Sequence, residues 1–327
     1  MLRASWWARR APRCLPALLA LLAVAGCESV PADVTGSPTL AASPSSNAVA
    51  LQAVIVSSVN ANGPCGGVAC LVAGPSQRIG FFVTEPDGGV VSGATVTAQV
   101  FLVGPSGQGA TAVTSEVPAT YHGSGIENAN KAINRGVYTI NVDLAAAGQY
   151  GLVVKAKKDA VSATSRASFL VLAADPGVAV GAAAPRSHSP VAADVKDIAT
   201  IDTGIPPDHM HYVSLADAIA AHHAVVVYMG TPGYCQSRTC APEVAAVQVA
   251  EAELRPKGVD FVHVETYEGG RPDNPDPSKA TLTATFREWK LDTEPWVMVI
   301  DRNGNLAAKF SGATGGDEII AAVQKLP

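Results

Sequence analysis

Two cysteines, Cys235 and Cys240, are the residues whose type and spacing most directly indicate chemistry. They are separated by four residues in "GYCQSRTCAPEV", after an apolar run and before a segment with helical spacing of its apolar residues. Two thiols can exchange with other disulfides, bind a soft metal ion or form a permanent cross-link. The compartment bears on the choice, because disulfides persist mainly in oxidising surroundings.

The N-terminus indicates export. Residues 1–26 contain four arginines, no acidic residue and an apolar stretch over 15–25 that is too short to span a bilayer, which predicts a signal peptide. The following "VAGC" resembles the lipobox of bacterial lipoproteins, whose cysteine is lipidated, and this resemblance implies a membrane anchor on Cys27. An ordinary cleaved signal with an incidental cysteine is the alternative. Residues 27–47, rich in Ser, Pro, Ala and Thr, are predicted to be a flexible tether.

Charge and length narrow the class of protein further. Without the four arginines of the signal, 19 basic side chains face 28 acidic ones, a formal charge of −9 that argues against a nucleic-acid partner. The remaining 280 or so residues exceed a typical single domain and predict two. Together with the predicted signal peptide and the lipobox resemblance, these features lead us to expect a lipid-anchored, extracytoplasmic protein of the cell envelope.

Residues 48–175 read as an all-β domain. Short β-rich runs alternate with Gly, Pro and Ser, which predicts an antiparallel sandwich. The segment "GVYTINVDLAAAGQYGLVVKA" resembles the final hairpin of immunoglobulin-like modules in envelope proteins. Cys65 and Cys70, in a Gly-rich loop without a nearby His or carboxylate ligand, are predicted to form a structural disulfide.

Residues 176–327 change to an α/β pattern after an irregular leading segment that extends to about residue 208. Ser214 is predicted to cap a helix, and "AVVVYMG" reads as a buried strand. A helix after the cysteines, the strand "VDFVHVETY", a helix over 278–290, two strands joined by an Asn-Gly turn and a final helix follow. The order is β-α-β-α-β-β-α if a first strand or turn precedes Ser214.

This order resembles the thioredoxin fold, and "TPGYCQSRTCAPEV" with "TEPWVMVIDRNG" is similar to thioredoxin-like lipoproteins of bacterial envelopes. The resemblance implies that Pro295, after Glu294, is a cis-proline facing the cysteines. The sequence departs from the usual Trp-Cys-x-x-Cys motif in two ways: Tyr234 replaces the tryptophan, and two residues are added between the cysteines.

The added residues restrict the geometry of the cysteine pair. Residues five apart in a regular helix have Cα atoms about 8–9 Å apart, beyond the reach of a disulfide, so a bonded pair requires a loop with the helix starting near Pro242. Cys240 would then lie near the helix N-cap, where the dipole favours a thiolate, and Arg238 would act in the same direction. Glu294 would raise a thiol pKa instead. We expect Cys235 to be the attacking sulfur and Cys240 the resolving one.

Three functions remain open at this point, and enzymatic activity is one of them. The first is thiol-disulfide exchange with exported protein thiols or disulfides through Cys235 and Cys240. The second is a redox-inert thioredoxin-like binding module with a structural disulfide. The third is copper handling, in which His209, Met210 and His211 would join the cysteines around Cu(I).

The histidines are interpreted without a metal or cofactor. The His-Met-His run reads as solvent-exposed sequence, and His222, His223 and His263 read as surface or hydrogen-bonded side chains. Asp301, beside the Asn-Gly turn, reads as a turn residue. No cofactor and no metal ligand are predicted.

Overall fold

The computed structural model describes residues 51–55, 69–86, 88–104, 107, 109–123, 136–235, 239–276, 279–291 and 293–327. The predicted signal peptide and tether, with Cys27, lie outside these residues, and so do Cys65 and Arg238. The described chain is mostly β-sheet with few helices. No helix within it is both long and apolar enough to cross a membrane.

Strands between residues 52 and 172 form two sheets. The first has the order β1 (Gln52–Ile55), β3 (Gly74–Thr84), β8 (Val137–Leu144) and β7 (Thr120–His122). The second has the order β2 (Ala69–Val72), β10 (Val161–Leu172), β9 (Gly148–Lys158), β4 (Thr95–Val103) and β5 (Ala110–Ala112), with β6 (Val117–Pro118) also paired to β4. All pairs are antiparallel except β2 with β10, so the antiparallel prediction fails at that one pair.

The two sheets share one apolar core. Phe81 and Tyr138 come from the first sheet, and Leu152 and Phe169 come from the second; each is at most 1 % exposed. Alternate residues of β4 point inward, as the period of two along a strand requires. Burial of this side-chain layer stabilises the region by the hydrophobic effect.

The predicted hairpin of residues 136–156 is wrong. Strand β8 pairs with β3 and β7, whereas β9 pairs with β10 and β4, so the chain crosses from one sheet to the other between Leu144 and Gly148. Tyr150 holds this crossing, because its hydroxyl donates a 2.8 Å hydrogen bond to the carbonyl oxygen of Ala146. Alternation of apolar residues is the same in a hairpin and in a crossing, so the sequence pattern did not distinguish them.

A third sheet lies in residues 224–311. Its order is β12 (Val259–Val264), β11 (Ala224–Met229), β13 (Trp296–Ile300) and β14 (Leu306–Ser311), with β12 parallel to β11 and the other pairs antiparallel. The helices of this region are α1 (Leu215–Ala220), α2 (Cys240–Leu254), α3 (Ala284–Glu288) and α4 (Gly316–Gln324).

Strand β11 is buried along its whole length because side chains cover both of its faces. Val225 and Val227 pack in a cluster with Trp289 on one face. Val226, on the other face, packs in a cluster with Leu254 of α2. A strand covered on both faces reads as a continuous apolar run, which is why "AVVVYM" predicted it correctly.

The observed elements depart from the predicted ones in three places. Before Ser214, where a first strand or turn was expected, the described chain has an isolated bridge between Ala183 and Asn305 instead of a strand. Helix α3 spans five residues rather than the predicted 278–290. Helix α2 starts at Cys240 instead of Pro242; the proline lies in the first turn, where its missing N–H costs no helical hydrogen bond. Ser214 caps α1 as predicted, accepting from the backbone N–H of Asp217.

Polar contacts join the first sheet to the segment around α4. The Arg78 guanidinium donates to both carboxylate oxygens of Glu318, each at 2.7 Å, and to the carbonyl oxygen of Ala313 at 2.9 Å. His122 Nδ1 lies 2.7 Å from Asp317. The side chains of Arg78 and Glu318 are largely buried, and a bidentate pair of this kind fixes the orientation of the two side chains relative to each other.

Candidate redox site and a neighbouring Asp–His cluster

Cys235 and Cys240 form a disulfide directly after the central strand β11. Their Cα atoms are 6.0 Å apart, within the range that a disulfide spans and shorter than the spacing of these positions in a helix. Cys235 is partly exposed, whereas Cys240 is fully buried. Of the two cysteines, Cys235 is therefore the more accessible to an incoming thiolate. We call this pair, together with Glu294, the disulfide site.

The turn out of β11 fits this geometry closely. A Cβ at position 230 would lie 2.6 Å from the Tyr228 hydroxyl and 3.3 Å from Cβ of Pro295, so only glycine lets the strand pass between them. The Tyr228 hydroxyl lies 3.3 Å from the carbonyl oxygen of Cys240, which ties the strand to the first residue of α2. Helix N-termini stabilise a thiolate, and Cys240 occupies that position.

Glu294 places a carboxylate beside the two sulfurs. One of its oxygens and the sulfurs of Cys235 and Cys240 all lie within 4.8 Å of one another. Its Oε2 accepts hydrogen bonds from Thr231 N at 2.6 Å and from Thr266 Oγ1 at 2.5 Å. Burial raises the pKa of Glu294 to about 7, although these hydrogen bonds act to lower it. The carboxyl group can therefore take up or release a proton near neutral pH.

The other residues proposed for the disulfide site occupy distinct places. The Glu294–Pro295 peptide is cis, and Pro295 is buried against Gly230. Tyr234 is exposed next to Cys235. Arg238 lies outside the described residues, and its effect on the thiols stays a prediction.

The interpretation of the His-Met-His run as exposed sequence is wrong for two of its three residues. His209 is exposed, but Met210 is fully buried in the apolar cluster that contains Cys240. His211 is also buried, at 4 % exposure, among carboxylates. The three side chains thus lie in three different environments rather than as one ligand set.

A second group of polar side chains lies beside the disulfide site and was missed from the sequence. One ligand atom each from Asp202, Asp208, His211 and His263 lies within 4.8 Å of the others. We call these four residues the Asp–His cluster. The first three come from the loop over 202–211, and His263 comes from the edge strand β12.

His263 joins the two sites. Its Nδ1 lies 2.8 Å from Asp208 Oδ2, and its Nε2 lies 3.1 Å from the carbonyl oxygen of Gly230, the residue that begins the turn toward Cys235. Burial would lower the pKa of His263, but the hydrogen bond and charge of Asp208 raise it to about 9. Both ring nitrogens thus face oxygen atoms that can accept a hydrogen bond.

A weak sequence signal for this cluster existed. His263 interrupts the apolar strand "VDFVHV", and a polar side chain in a strand that is buried on both faces needs a partner. The spacing Asp202, Asp208, His211 lies in a segment without helix or strand pattern, where side-chain directions do not follow from the sequence. The histidine in the strand indicates that a polar partner is needed, but only the path of the loop over 202–211 shows which residues are its partners.

The remaining singled-out residues have simple surroundings. His222 and His223 are exposed, and His223 Nδ1 lies 2.8 Å from Asp260. Asp301 Oδ1 accepts from the backbone N–H groups of Asn303 and Asn305, which is the turn role predicted for it. Cys70 belongs to β2, and the predicted Cys65–Cys70 disulfide stays a prediction, because Cys65 lies outside the described residues.

Comparisons with known proteins give only distant similarities. No family model and no curated protein matches the chain. Among solved structures, a thiol:disulfide interchange protein from Bacteroides sp. is 16% identical, covering 45% of this chain and 90% of that one, with a TM-score of 0.29.

Two further solved structures are similar at the same level. FetP of uropathogenic E. coli strain F11 is 8% identical over 38% of this chain and 89% of its own, with a TM-score of 0.23. The PmoD soluble domain from Methylocystis sp. is 13% identical over 31% of this chain and 76% of its own, with a TM-score of 0.21. Similarities this distant identify neither a substrate nor a partner.

Proposed function

We propose that this protein exchanges thiols and disulfides with exported proteins through Cys235 and Cys240. In this proposal the chain is anchored in a membrane of the cell envelope by a lipid on Cys27. It consists of an immunoglobulin-like sandwich over 48–175 and a thioredoxin-like domain over 176–327. The single observation that carries the exchange function is the disulfide site: one partly exposed sulfur, one buried sulfur at a helix N-terminus, and a carboxyl group beside both.

The exchange reaction balances without a cofactor. A thiolate of the exported protein attacks Sγ of Cys235, the Cys235–Cys240 bond breaks, and Cys240 leaves as a thiolate. A second thiol of the exported protein, acting as a thiolate, then attacks the exported protein's sulfur that is bonded to Cys235. This forms the exported protein's disulfide and releases Cys235. The exported protein loses two electrons and two protons, which the cysteine pair gains as two thiols. Reduction of an exported disulfide is the same sequence in reverse.

Glu294 is assigned the proton transfer to the buried sulfur. Cys240 is shielded from water, so its thiolate needs a nearby proton donor when it leaves, and the Glu294 carboxyl lies beside it. A group with a pKa of about 7 is protonated often enough to donate and ionised often enough to accept at neutral pH. The same carboxylate would be the third ligand of a metal ion bound by the two sulfurs. A carboxylate oxygen is a hard ligand that suits Cu(I) poorly, which argues against copper handling.

The test combines a reduction potential with exchange kinetics. The oxidised protein is equilibrated with glutathione buffers to obtain the potential, and its exchange with a fluorescent dithiol peptide is followed from pH 5 to 8. We expect Cys235→Ser to abolish exchange, because the accessible sulfur is lost. We expect Cys240→Ser to trap a mixed disulfide on Cys235. Glu294→Gln should flatten the pH dependence of the rate near 7.

Glu251→Gln is the matched control. Glu251 is a buried carboxylate near the C-terminal end of α2, the helix that begins with Cys240, and it pairs with Arg255. Its pH–rate profile should match that of the unchanged protein. A potential below about −300 mV together with no exchange would reject the proposal in favour of a permanent cross-link in a binding module.

A further inference from the structure

We propose that the Asp–His cluster, Asp202, Asp208, His211 and His263, binds one divalent metal ion of the zinc class. Two imidazoles and two carboxylates are a nitrogen and oxygen donor set that suits such an ion. All four residues belong to the interior: Asp202, His211 and His263 are at most 4 % exposed, and the Asp208 side chain is 2 % exposed. The site is separate from the proposed exchange reaction and uses neither cysteine.

His211 points to a missing ligand. Its ring is buried, and within the described structure Nδ1 has no hydrogen-bond partner, while Nε2 has no well-aligned hydrogen bond. Nε2 nevertheless faces the carboxylates, 3.3 Å from Asp202 Oδ2 and 3.6 Å from Asp208 Oδ1. Burying a polar group without a hydrogen bond costs free energy, and a bond from Nε2 to a metal ion would offset that cost.

The distances suit a small ion. Zinc bonds of 2.0–2.2 Å in a tetrahedron place the ligand atoms about 3.3–3.6 Å from one another. His211 already meets this spacing to both carboxylates. His263 Nδ1 approaches the other oxygen of each carboxylate, at 3.9 Å from Asp202 Oδ1 and 2.8 Å from Asp208 Oδ2. One ligand atom from each of the four residues lies within 4.8 Å of the others, so binding of an ion would require the side chains to draw closer together.

The outer contacts orient these ligands. The carboxylate of Asp202 accepts from the backbone N–H groups of Gly204 and Asp208, both at 2.7 Å. Asp208 Oδ1 accepts from the N–H of Met210 at 2.8 Å. Gly204 is tightly constrained, because a Cβ there would lie 2.9 Å from Asp202 Oδ1. The loop therefore holds both carboxylates in place through its own backbone.

The contacts of His263 fit a metal ligand. Its Nε2–H donates to the carbonyl oxygen of Gly230, an arrangement common for the outer nitrogen of a metal-bound histidine, which leaves Nδ1 facing the carboxylates. The carboxylates of Asp202 and Asp208 would offset the charge of a divalent cation, and the buried Glu265, with Oε1 4.0 Å from His263 Nε2, adds a further carboxyl group beside the cluster.

The test uses the oxidised full-length protein in detergent, because its disulfide keeps Cys235 and Cys240 from binding metal. After dialysis against a chelator, Zn²⁺ is titrated by calorimetry, bound metal is counted by mass spectrometry, and Co²⁺ is added as a spectroscopic probe of tetrahedral coordination. We expect one Zn²⁺ per chain, a tetrahedral cobalt spectrum and a rise in Tm with added zinc.

Two variants locate the site. His211→Gln should weaken zinc binding at least about 100-fold and remove the Tm rise, because a bond to the ion is lost. His223→Gln is the matched control: His223 belongs to an exposed Asp–His pair with Asp260, and its loss should leave zinc affinity unchanged. If His211→Gln does not fold, Asp202→Asn takes its place with the same expectation. Absence of saturable zinc binding to the unchanged protein, or equal affinity in a folded His211→Gln variant, would overturn the proposal.

Discussion

The two halves of the described chain differ in what they bury. Between residues 51 and 172 the described buried residues with polar side chains are, tyrosines apart, Thr84 and Thr139, and the largely buried Arg78 pairs with Glu318 of the other half. Between residues 178 and 327 the described part of the interior also holds these ionisable side chains: Asp202, Asp208, His211, Glu243, Glu251, His263 and Glu265. Buried charge opposes folding unless it is paired, so the interior of the second half depends more on hydrogen bonds and ion pairs than that of the first half does.

The buried charges of the second half are not all of one kind. Glu243, whose pKa burial raises to about 8, accepts a hydrogen bond from Thr314 N at 2.7 Å and so ties α2 to the segment before α4. Glu294, partly exposed, faces the sulfurs instead. The comparison therefore separates carboxylates that join elements from those that face a candidate site.

The largest expected effect tests the apolar half. Phe81→Ala should lower the free energy of unfolding by about 3–5 kcal/mol, because Phe81 is fully buried between the two sheets and its loss leaves a cavity. Urea unfolding of the oxidised protein measures it. Phe101→Ala, at a partly exposed position of β4, is the control and should cost clearly less. A change of the disulfide reduction potential in Phe81→Ala would contradict the separation of the two halves.

The next effect concerns the pH dependence that the second half should carry. The folded-state pKa of Glu294 is raised to about 7 from an ordinary 4.5, so the folded protein keeps a proton that the unfolded chain has lost. The stabilisation by the protonated Glu294 carboxyl group is fully present below pH 4.5 and is lost as the pH rises through 7. Glu294 alone should lower the free energy of unfolding by about 1.4 kcal/mol per pH unit in this window, in addition to the slope from Glu243.

Urea unfolding at several pH values between 4.5 and 8, on the unchanged protein and on Glu294→Gln, isolates this contribution, because glutamine keeps the shape and does not titrate. Glu243→Gln serves as the comparison: the slope that this substitution removes should extend to about pH 8, since burial raises the pKa of Glu243 to that value. Identical slopes for Glu294→Gln and the unchanged protein would show that Glu294 is not the source.

The smallest expected effect sharpens the contrast between buried and exposed charge. Lys257 pairs with Glu253 one helical turn away at 3.1 Å, and both side chains are about half exposed. Lys257→Ala should change the free energy of unfolding by less than about 0.5 kcal/mol, because water and salt screen the pair. A thermal unfolding series with and without added salt checks this. A loss above 1 kcal/mol would mean that exposed pairs also matter here.

The elements with strong patterns were predictable. The uniformly apolar "AVVVYM" predicted β11, and Ser214 predicted the start of α1. Prediction failed where the pattern allows two answers: the crossing between β8 and β9 reads like a hairpin. The pair Cys235–Cys240 was singled out from type and spacing alone, and its Cα–Cα distance of 6.0 Å is shorter than these positions would have in a regular helix.

The sequence by itself determined the elements with regular periodicity and the presence of two thiols beside a central strand, because these depend on neighbours along the chain. Only the tertiary structure decided which charges are buried together. His263 lies more than fifty residues after the loop that brings Asp202, Asp208 and His211 to it, and that loop has no periodic pattern. The path of such a segment is set by backbone hydrogen bonds to its own carboxylates, so its side-chain neighbours become visible only once the chain is folded.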